Sequence, residues 1–253
     1  ILIVRSTKVF AETIEAGKSL ELIIRAGAGV NNIDLEKASS SGVYVANCPG
    51  KNSDAVAELT LGHIIACDRR IVDASLDLRS GNWKKKAYQN AAGLKGRTLG
   101  IIGLGSIGSA LAKLAKGLDM NVIAWSRSLT PNKADKLDLI YCESITEVAA
   151  NADVVSVHLA MTPDTRHLLN NDFFNKMEDG AIFVNTSRGE IVDTAALRKA
   201  IDEKALRVGL DVFENEPGSG VAEFDQTDLA DLITCTPHIA ASTNQASEAI
   251  ADE

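Results

Sequence analysis

Hydride transfer at a carbon that bears oxygen could be carried out by Arg188, by His238 and by one of the carboxylates that lie between them in the chain, at Asp211, Glu214 and Glu216. A histidine can exchange the hydroxyl proton near neutral pH, because its unperturbed pKa lies close to that range. A carboxylate behind the ring would orient it and favour its charged form. An arginine can grip a substrate carboxylate through two parallel hydrogen bonds. Any one of these residues alone would most often face water, so the hypothesis depends on all three converging.

Each of these residues follows a predicted strand. The three strands are expected at residues 181–185, 207–211 and 232–234. In a parallel α/β sheet, ligands bind beyond the carboxyl ends of the strands. We therefore expect the three side chains to share one edge of a sheet, at the nicotinamide end of a bound dinucleotide.

A glycine-rich turn supplies the expected dinucleotide site. Residues 98–102 form a predicted buried strand, and Gly103, Gly105 and Gly108 follow with GxGxxG spacing before a helix that opens near Ile107. The first glycine permits a tight turn, the second lets the backbone approach a pyrophosphate, and the third lets helix and strand pack closely. The helix N-terminus then faces the negative charge. The alternative is a glycine turn in another kind of α/β unit.

The elements around this turn alternate between strand and helix. Further strands are predicted at 121–125 and 154–158, and helices include 107–117 and 194–203. This order predicts a doubly wound parallel α/β sheet. In front of it the chain has predicted strands at 1–4, 20–24 and 43–46, one helix from Ser53 or Asp54 to about Leu78, and a polar stretch at 80–93. We expect a dinucleotide-binding domain over residues 50–242 and a smaller, incomplete domain formed by 1–49 and 243–253.

Composition narrows the classes of partner. The chain has 253 residues, a formal net charge of −8 and 45% hydrophobic residues, which suits a globular protein with one large or two modest domains. The acidic balance argues against a nucleic-acid surface. No apolar run approaches the roughly 20 residues of a membrane span.

The cysteines predict a cellular compartment, and the chain ends predict further residues beyond this sequence. Cys48, Cys67, Cys142 and Cys235 form no CxxC pair, and no secretory signal is visible, which favours reduced thiols in the cytoplasm. The chain begins at Ile1 inside an apolar strand and stops inside a helical pattern. We therefore expect further residues beyond both ends.

Four segments resemble the D-isomer-specific 2-hydroxyacid dehydrogenases, in the order and spacing of that family: GLGSIG, NTSRGEIVD, GLDVFENEP and TPHIAAST. The resemblance covers essentially the whole chain. It implies that Arg188 binds the carboxylate and carbonyl of the substrate, and that Glu216 supports His238 as the acid/base.

The same resemblance implies the architecture around the site. It implies a split, flavodoxin-like substrate domain built from both chain ends, with hinges near Gly50 and after Ser242. It also implies a homodimer formed through the dinucleotide-binding domain, including residues 80–93, although that stretch departs somewhat from the family pattern. The residues expected to contact the cofactor are Gly103, Gly105, Ser106, Ile107, Gly108, Ser126, Arg127, Ser128, Pro163, Thr186, Asp211 and Ala240.

The choice between NAD(H) and NADP(H) depends on the end of the strand at 121–125. An NAD enzyme normally carries a carboxylate about 20 residues after the glycine turn, where it binds the ribose hydroxyls. This chain has Ser126, Arg127 and Ser128 instead, which favours NADP(H), because nothing there repels a 2′-phosphate. The alternative is that Ser126 bonds a ribose hydroxyl and Arg127 only stacks near the adenine.

The segment at residues 23–60 is particularly similar to 3-phosphoglycerate dehydrogenases, which implies 3-phosphoglycerate and 3-phosphohydroxypyruvate as substrates. By that resemblance Arg25 binds the phosphate and the backbone after it cradles the carboxylate, although Arg25 could equally pair with Asp34 or Glu36. The expected substrate contacts are Arg25, Gly27, Gly29, Val30, Asn52 and Arg188.

Two alternatives remain open at this stage. The first is reduction of glyoxylate or hydroxypyruvate, and the second is a nucleotide-sensing binding protein like the corepressors that share the fold. The other histidines, His63, His158 and His167, are expected to have no catalytic role. No pair of histidines has metal-ligand spacing, so no metal site is predicted.

Overall fold

The computed structural model describes residues 1–217 and 221–253, which divide into two compact units. The first unit comprises Ile1–Ala55, Pro217–Glu223 and Ala241–Glu253. The second unit comprises Val56–Glu216 and Phe224–Ala240.

The first unit contains a small parallel sheet. Among its described residues the strands β1 (Leu2–Val4), β2 (Leu22–Arg25) and β3 (Tyr44–Asn47) pair in that order. The helices α1 (Ala11–Ala16) and α2 (Leu35–Ser40) alternate with them. The Asp34 carboxylate caps α2 by accepting the backbone N–H of Lys37 at 2.9 Å, which satisfies one of the free donors of the first turn.

The second unit contains the large sheet. Its strands, among the described residues, are β4 (Thr98–Ile102), β5 (Asn121–Trp125), β6 (Ile140–Tyr141), β7 (Val154–Val157), β8 (Ile182–Asn185), β9 (Arg207–Leu210) and β10 (Thr234–Cys235). They lie in the order β10-β9-β8-β7-β4-β5-β6 and are parallel throughout. The direction of the strand order reverses at β4, so the crevice beside this strand is the expected place for a ligand.

Helices cover both faces of this sheet. They are α3 (Ser53–Arg69), α4 (Ile71–Arg79), α5 (Ser106–Gly117), α6 (Pro131–Lys136), α7 (Ile145–Asn151), α8 (Asn171–Phe174), α9 (Thr194–Lys204) and α10 (Thr227–Ala230), while α11 (Asn244–Ala251) belongs to the first unit. Short 3-10 helices occur at Lys85–Tyr88, Pro163–Thr165 and Gly189–Ile191.

Alternating side chains of the strands build two hydrophobic layers. Leu99 and Ile101 pack with Leu111 of α5 on one face, whereas Ile102 packs with Val148 of α7 on the other. Successive residues of a strand point to opposite faces, so strands that are apolar throughout must be covered on both sides. The predicted doubly wound parallel α/β fold is therefore confirmed.

The predicted single helix over residues 53–78 is wrong in one respect. The chain forms two helices, α3 and α4, because Arg70 between them adopts a left-handed conformation with φ 50° and ψ 46°. Arg70 donates a hydrogen bond from Nε to Asp73 at 3.0 Å, and its guanidinium lies 4.9 Å from the centre of the Tyr88 ring. No glycine or proline marks this break, so the sequence pattern gives no sign of it.

Smaller differences concern the edges of the large sheet. The last strand is Thr234–Cys235 rather than residues 232–234, and the two-residue strand β6 was not predicted. No helix within residues 1–217 or 221–253 is long and apolar enough to cross a membrane.

Candidate active site

His238 and Glu216 form a hydrogen-bonded pair in the second unit. The His238 Nδ1 atom lies 2.6 Å from Glu216 Oε2, and Glu216 Oε1 accepts the backbone N–H of Phe213 at 2.9 Å. The bond to Glu216 raises the pKa of His238 above its ordinary value, against the opposing effects of burial and of the Arg188 charge. Because Nδ1 faces the carboxylate, Nε2 is the ring nitrogen left for a substrate.

Asp211 fixes the turn that carries His238. Its carboxylate, fully buried, accepts the Thr236 hydroxyl at 2.5 Å and the backbone N–H groups of Ile239 and Ala240, each at 2.9 Å. The backbone N–H of His238 donates to the Asp211 carbonyl at 2.8 Å. These bonds hold His238 in a left-handed conformation at φ 52°, which a residue other than glycine or asparagine rarely adopts without such support.

Arg188 lies in a turn organised by Asn185, the last residue of β8. The Asn185 side chain donates to the Arg188 carbonyl at 2.9 Å and accepts from the backbone and hydroxyl of Ser187 at 2.9 and 2.7 Å. The next residue, Gly189, is buried so tightly that a Cβ atom there would collide with the backbone of Phe213 and the residue after it. This close approach fixes the Arg188 turn against the segment that leads to Glu216.

The glycine turn after β4 has the geometry expected of a pyrophosphate cradle. Gly103 has φ 101°, and a Cβ there would lie 2.5 Å from the His158 carbonyl oxygen. A Cβ at Gly108 would collide with the Gly103 carbonyl, whereas a Cβ at Gly105 would meet nothing within 4 Å. The backbone at Gly105 and at Ser106, where α5 begins, is therefore open to a ligand. A dinucleotide pyrophosphate fits this turn, because it can approach the backbone at Gly105 while Gly103 and Gly108 allow the close packing around it.

A cavity of about 300 Å³ adjoins the end of β5. Its lining combines hydroxyls, ammonium groups and apolar side chains: Leu104, Ser126, Ser128, Leu129, Lys133, Lys136 and Leu137. Arg127, which the sequence favoured as an anion ligand, is exposed and is not part of this lining. The lining cations, Lys133 and Lys136, were missed because they lie on α6, beyond the predicted loop.

The other expected cofactor residues follow the strands of the same sheet. Pro163 begins a 3-10 helix after β7, Thr186 is buried directly after β8, and Ala240 is buried in the turn held by Asp211. Ile107 is half-buried in the first turn of α5.

The expected substrate residues of the first unit cluster after β2. The Arg25 guanidinium folds back over Gly27, whose φ of 143° and missing Cβ leave room for it. Gly29 and Val30 follow in the same half-buried loop. Asn52 lies in the turn directly before α3. A guanidinium beside the backbone of a half-buried loop is suited to a phosphate or a carboxylate.

His63 and His158 each contact a hydroxyl group, and burial lowers the pKa of both rings. His63 is buried and lies 3.0 Å from the Thr236 hydroxyl through Nε2, and burial lowers its pKa. His158 Nε2 lies 2.9 Å from the Ser156 hydroxyl, and burial lowers the pKa of His158 to about 4.

His167 forms a second histidine–carboxylate pair that the sequence did not indicate. Its Nε2 lies 2.5 Å from Glu214 Oε1, while Glu214 Oε2 accepts the Thr194 hydroxyl at 2.6 Å. Although burial favours the neutral carboxyl group, the hydrogen bonds from Thr194 and His167 hold the pKa of Glu214 below its ordinary value. This pair anchors the segment between Asp211 and Glu216 to His167 and Thr194.

Comparison with known proteins places these features in context. Residues 61–240 match the family model of the D-isomer specific 2-hydroxyacid dehydrogenase, NAD binding domain. The hydroxypyruvate reductase of Thermotoga maritima is 41% identical over 259 residues, covering 100% of this chain and 81% of that protein.

Two further relatives show how far the likeness extends. The D-3-phosphoglycerate dehydrogenase of Archaeoglobus fulgidus is 41% identical over 97% of this chain, but the match spans 46% of its own length. The apo-structure of D-lactate dehydrogenase from Escherichia coli is 30% identical and superposes with a TM-score of 0.83, over 98% of this chain and 77% of that one.

Proposed function

The chain belongs to the D-isomer specific 2-hydroxyacid dehydrogenase family and is an NAD(P)-dependent oxidoreductase, and we propose that it interconverts 3-phosphoglycerate and 3-phosphohydroxypyruvate. The prediction of an NAD(P)-dependent enzyme is confirmed by this membership. The observation that carries the proposed hydride-transfer chemistry is the His238–Glu216 hydrogen bond beside the charge of Arg188, and the choice of a phosphorylated substrate depends on Arg25.

In the proposed reduction His238 is the acid. Glu216 holds the protonated ring through Nδ1, and the proton on Nε2 passes to the keto oxygen of the substrate. The nicotinamide cofactor, when bound, supplies the hydride to the carbonyl carbon. The Arg188 guanidinium binds the substrate carboxylate and draws electron density from the reacting carbonyl. In the oxidation the same nitrogen of His238 takes the hydroxyl proton back.

We assign the substrate phosphate to Arg25 of the first unit, which makes that unit the substrate-binding domain. The support is the position of its guanidinium over Gly27, beside the half-buried loop that follows β2. A planar guanidinium forms paired hydrogen bonds with phosphate oxygens, and the loop N–H groups add donors.

Reduction of hydroxypyruvate or glyoxylate is the second candidate. The observation that favours it is the relative from Thermotoga maritima, a hydroxypyruvate reductase that matches this chain over its whole length. Such substrates carry no phosphate, so Arg25 would then bind the carboxylate or serve only the local structure.

For the cofactor we propose NADP(H) in preference to NAD(H). Ser126 stands where a carboxylate would repel a 2′-phosphate, and the adjoining cavity adds the ammonium groups of Lys133 and Lys136. Lys133 Nζ donates to the Ser128 carbonyl at 3.0 Å, which holds one of these cations over the loop. Arg127, which is exposed in the same loop, is a further proposed contact of the 2′-phosphate.

We also propose a homodimer through the second unit. Helix α4 has no buried residue, and Ile71, Leu76 and Leu78 are each about half exposed, while Trp83 is 80% exposed. Such a cluster of exposed apolar side chains is typical of a protein–protein interface. We propose that a second copy of the chain covers this cluster. Leu76→Glu should therefore yield monomers in sedimentation experiments, whereas Leu35→Glu in the first unit should not.

A cytoplasmic location is proposed from the thiols. Cys48, Cys67 and Cys142 are buried and free, and burial raises the pKa of Cys67 and Cys142 to about 11. Free buried thiols are typical of a reducing compartment.

A panel of 2-keto acids assayed with both reduced cofactors tests the proposal. His238→Ala should lower kcat by at least about 100-fold while cofactor binding is retained. Arg25→Ala should impair reduction of 3-phosphohydroxypyruvate far more than reduction of hydroxypyruvate or glyoxylate, and the exposed Arg5→Ala should impair neither. Equal losses across the panel would transfer the assignment to the second candidate, and a His238→Ala variant with near-normal kcat would refute the proposed mechanism.

A further inference from the structure

Helix α3 presents two buried polar side chains to the large sheet. Thr60 and His63 are three residues apart and are 0% and 3% exposed. Residues with this spacing lie on the same face of a helix. Each contacts a threonine hydroxyl that follows a strand of the sheet: Thr60 Oγ1 lies 2.8 Å from Thr186 Oγ1, and His63 Nε2 lies 3.0 Å from Thr236 Oγ1.

The contact of His63 has a fixed direction. Thr236 donates its single hydroxyl proton to Asp211 Oδ1 at 2.5 Å, so its oxygen can only accept from His63. His63 must therefore carry a proton on Nε2. The chain of donors then runs from His63 through Thr236 to Asp211, whose other contacts are the backbone N–H groups of Ile239 and Ala240.

The surroundings of His63 fit a neutral ring held in one orientation. Its Nδ1 atom is buried without a hydrogen-bond partner, which suits an unprotonated nitrogen far better than a buried N–H group. Gly209 of β9 leaves space for the ring, because a Cβ there would lie 2.9 Å from His63 Cβ and 3.3 Å from Nδ1.

The contact of Thr60 is directed as well. Thr60 donates its hydroxyl proton to the Val56 carbonyl at 2.7 Å, within the same helix. Its oxygen therefore accepts the hydroxyl proton of Thr186, which lies directly after Asn185 in the turn that carries Arg188. One helix face thus binds the strand-end turns of β8 and β10 through separate hydrogen bonds.

We propose that Thr60 and His63 are positioning residues that hold the turns of Arg188 and His238 in register for the reaction. The threonine that each of them binds precedes the reacting side chain by two residues. The inference extends the proposed function, since it assigns a purpose to the two bonds only if Arg188 and His238 act on the substrate.

Substitution of His63 gives the first experiment. His63→Leu removes the donor and keeps apolar volume, and we expect kcat to fall about 5- to 10-fold, the value of one hydrogen bond, with cofactor affinity unchanged. The pH limb assigned to His238 should move to lower pH, because a loosened turn weakens its contact with Glu216. His63→Gln retains an N–H donor at similar reach and should restore both properties.

A neighbouring core substitution provides the matched control. Ile64→Val on the same helix, at a fully buried position, removes packing and leaves both hydrogen bonds. It should lower Tm and leave the pH profile as it is. A His63→Leu variant that behaves like Ile64→Val, with lower Tm and normal kcat and pH profile, would overturn the proposal.

Histidine NMR tests the inference without turnover. The chain has 4 histidines, so their ring signals can be assigned by substitution. The proposal requires His63 to be protonated at Nε2, and protonation at Nδ1 would contradict it even if His63→Leu fails to fold. The His238 titration should move to lower pH in His63→Leu and in Thr236→Val, but not in Thr236→Ser. If the protein turns over no 2-keto acid while these shifts occur, the proposed function fails and the hydrogen-bond chain stands.

Loss of the Thr60 hydrogen bond should change different kinetic parameters from loss of the His63 hydrogen bond. Thr60→Val should raise KM for the 2-keto acid about fivefold, with a smaller effect on kcat, because Arg188 binds the substrate carboxylate. Thr60→Ser keeps the hydroxyl and should restore KM. A Thr60→Val variant with unchanged KM would remove Thr60 from the proposal.

Discussion

The Nδ1 atom of His238 lies 2.6 Å from Glu216 Oε2, so the carboxylate stabilises the protonated ring and leaves Nε2 for the proton transfer that we propose. Glu216→Gln keeps the shape and removes the charge, and the pKa of His238 should fall towards its ordinary value of 6.5. In the proposed reduction His238 must be protonated, so activity should decline as pH rises through its pKa. That decline should begin at lower pH in the variant, as measured by kcat/KM between pH 5 and 9.

The same pair predicts a pH dependence of stability. The folded-state pKa of His238 is raised, so the pair stabilises the fold fully below pH 6.5 and this contribution is lost as pH rises through the folded pKa. Denaturant unfolding of wild type and Glu216→Gln should differ most at acidic pH and converge at alkaline pH. A difference that grows with pH would contradict the assignment of the charges.

Arg188→Lys keeps the positive charge and loses the planar fork. The loss of a charge-assisted, paired contact should lower kcat/KM by about 10- to 150-fold for every 2-keto acid. Arg198→Lys is the matched control, because Arg198 lies on α9 in an ion pair with Asp228. Steady-state kinetics of the wild type and both variants measure this change. Equal affinity for the cofactor in all three proteins would show that the loss reflects substrate binding and not damage to the fold.

The cavity after β5 is the place where we propose that the cofactor is selected. Wild-type protein should bind NADPH at least as tightly as NADH in fluorescence titrations, and Ser126→Asp should reverse that order by introducing a repulsive carboxylate. Lys133→Ala and Lys136→Ala should weaken NADPH binding selectively by about 10- to 150-fold, and Arg127→Ala should do so to a smaller degree. A wild-type preference for NADH above about tenfold, unchanged in these variants, would show that the loop does not bind the phosphate.

Adding a single methyl group at Gly189 should destabilise the fold strongly. A Cβ at this position would collide with backbone atoms of Phe213, which cannot rotate away, so Gly189→Ala should lower the free energy of unfolding by about 1–3 kcal/mol. It should also lower activity, because the Arg188 turn must move. Gly62→Ala inside α3 meets nothing within 4 Å and should be neutral or stabilise the fold by up to about 1 kcal/mol. Thermal unfolding of both variants checks the contrast.

The glycine turn was predictable because its requirements are local. The GxGxxG spacing of Gly103, Gly105 and Gly108 follows a buried strand directly, and the helix begins at Ser106, one residue from the expected position. The alternation of apolar strands and amphipathic helices likewise fixes the parallel sheet. Both inferences need only neighbouring residues and general rules of packing.

The contacts that organise the candidate site are long-range and could not be predicted in this way. Thr60 and Thr186 are 126 residues apart in the chain, and His63 and Thr236 are 173 apart. A buried histidine on an apolar helix gives no sign of its partner. The break at Arg70 could not be predicted for another reason. Contacts of the Arg70 side chain offset the cost of its left-handed conformation, so no glycine or proline is needed there.

The edge strand β10 pairs with β9 through Thr234 and Cys235, and one further backbone hydrogen bond joins the Thr236 N–H to the Leu210 carbonyl at 2.9 Å. Such a short ladder contributes little to cooperative folding, so the terminal part of the sheet can open locally without unfolding the rest. His238 follows this strand, and the buried Asp211 is its main tether. Mild heating should therefore abolish activity before the global transition, and amide hydrogen exchange should be faster at β10 than at β4. The turn of the proposed acid/base group, rather than the whole fold, would then set the working temperature limit of this enzyme.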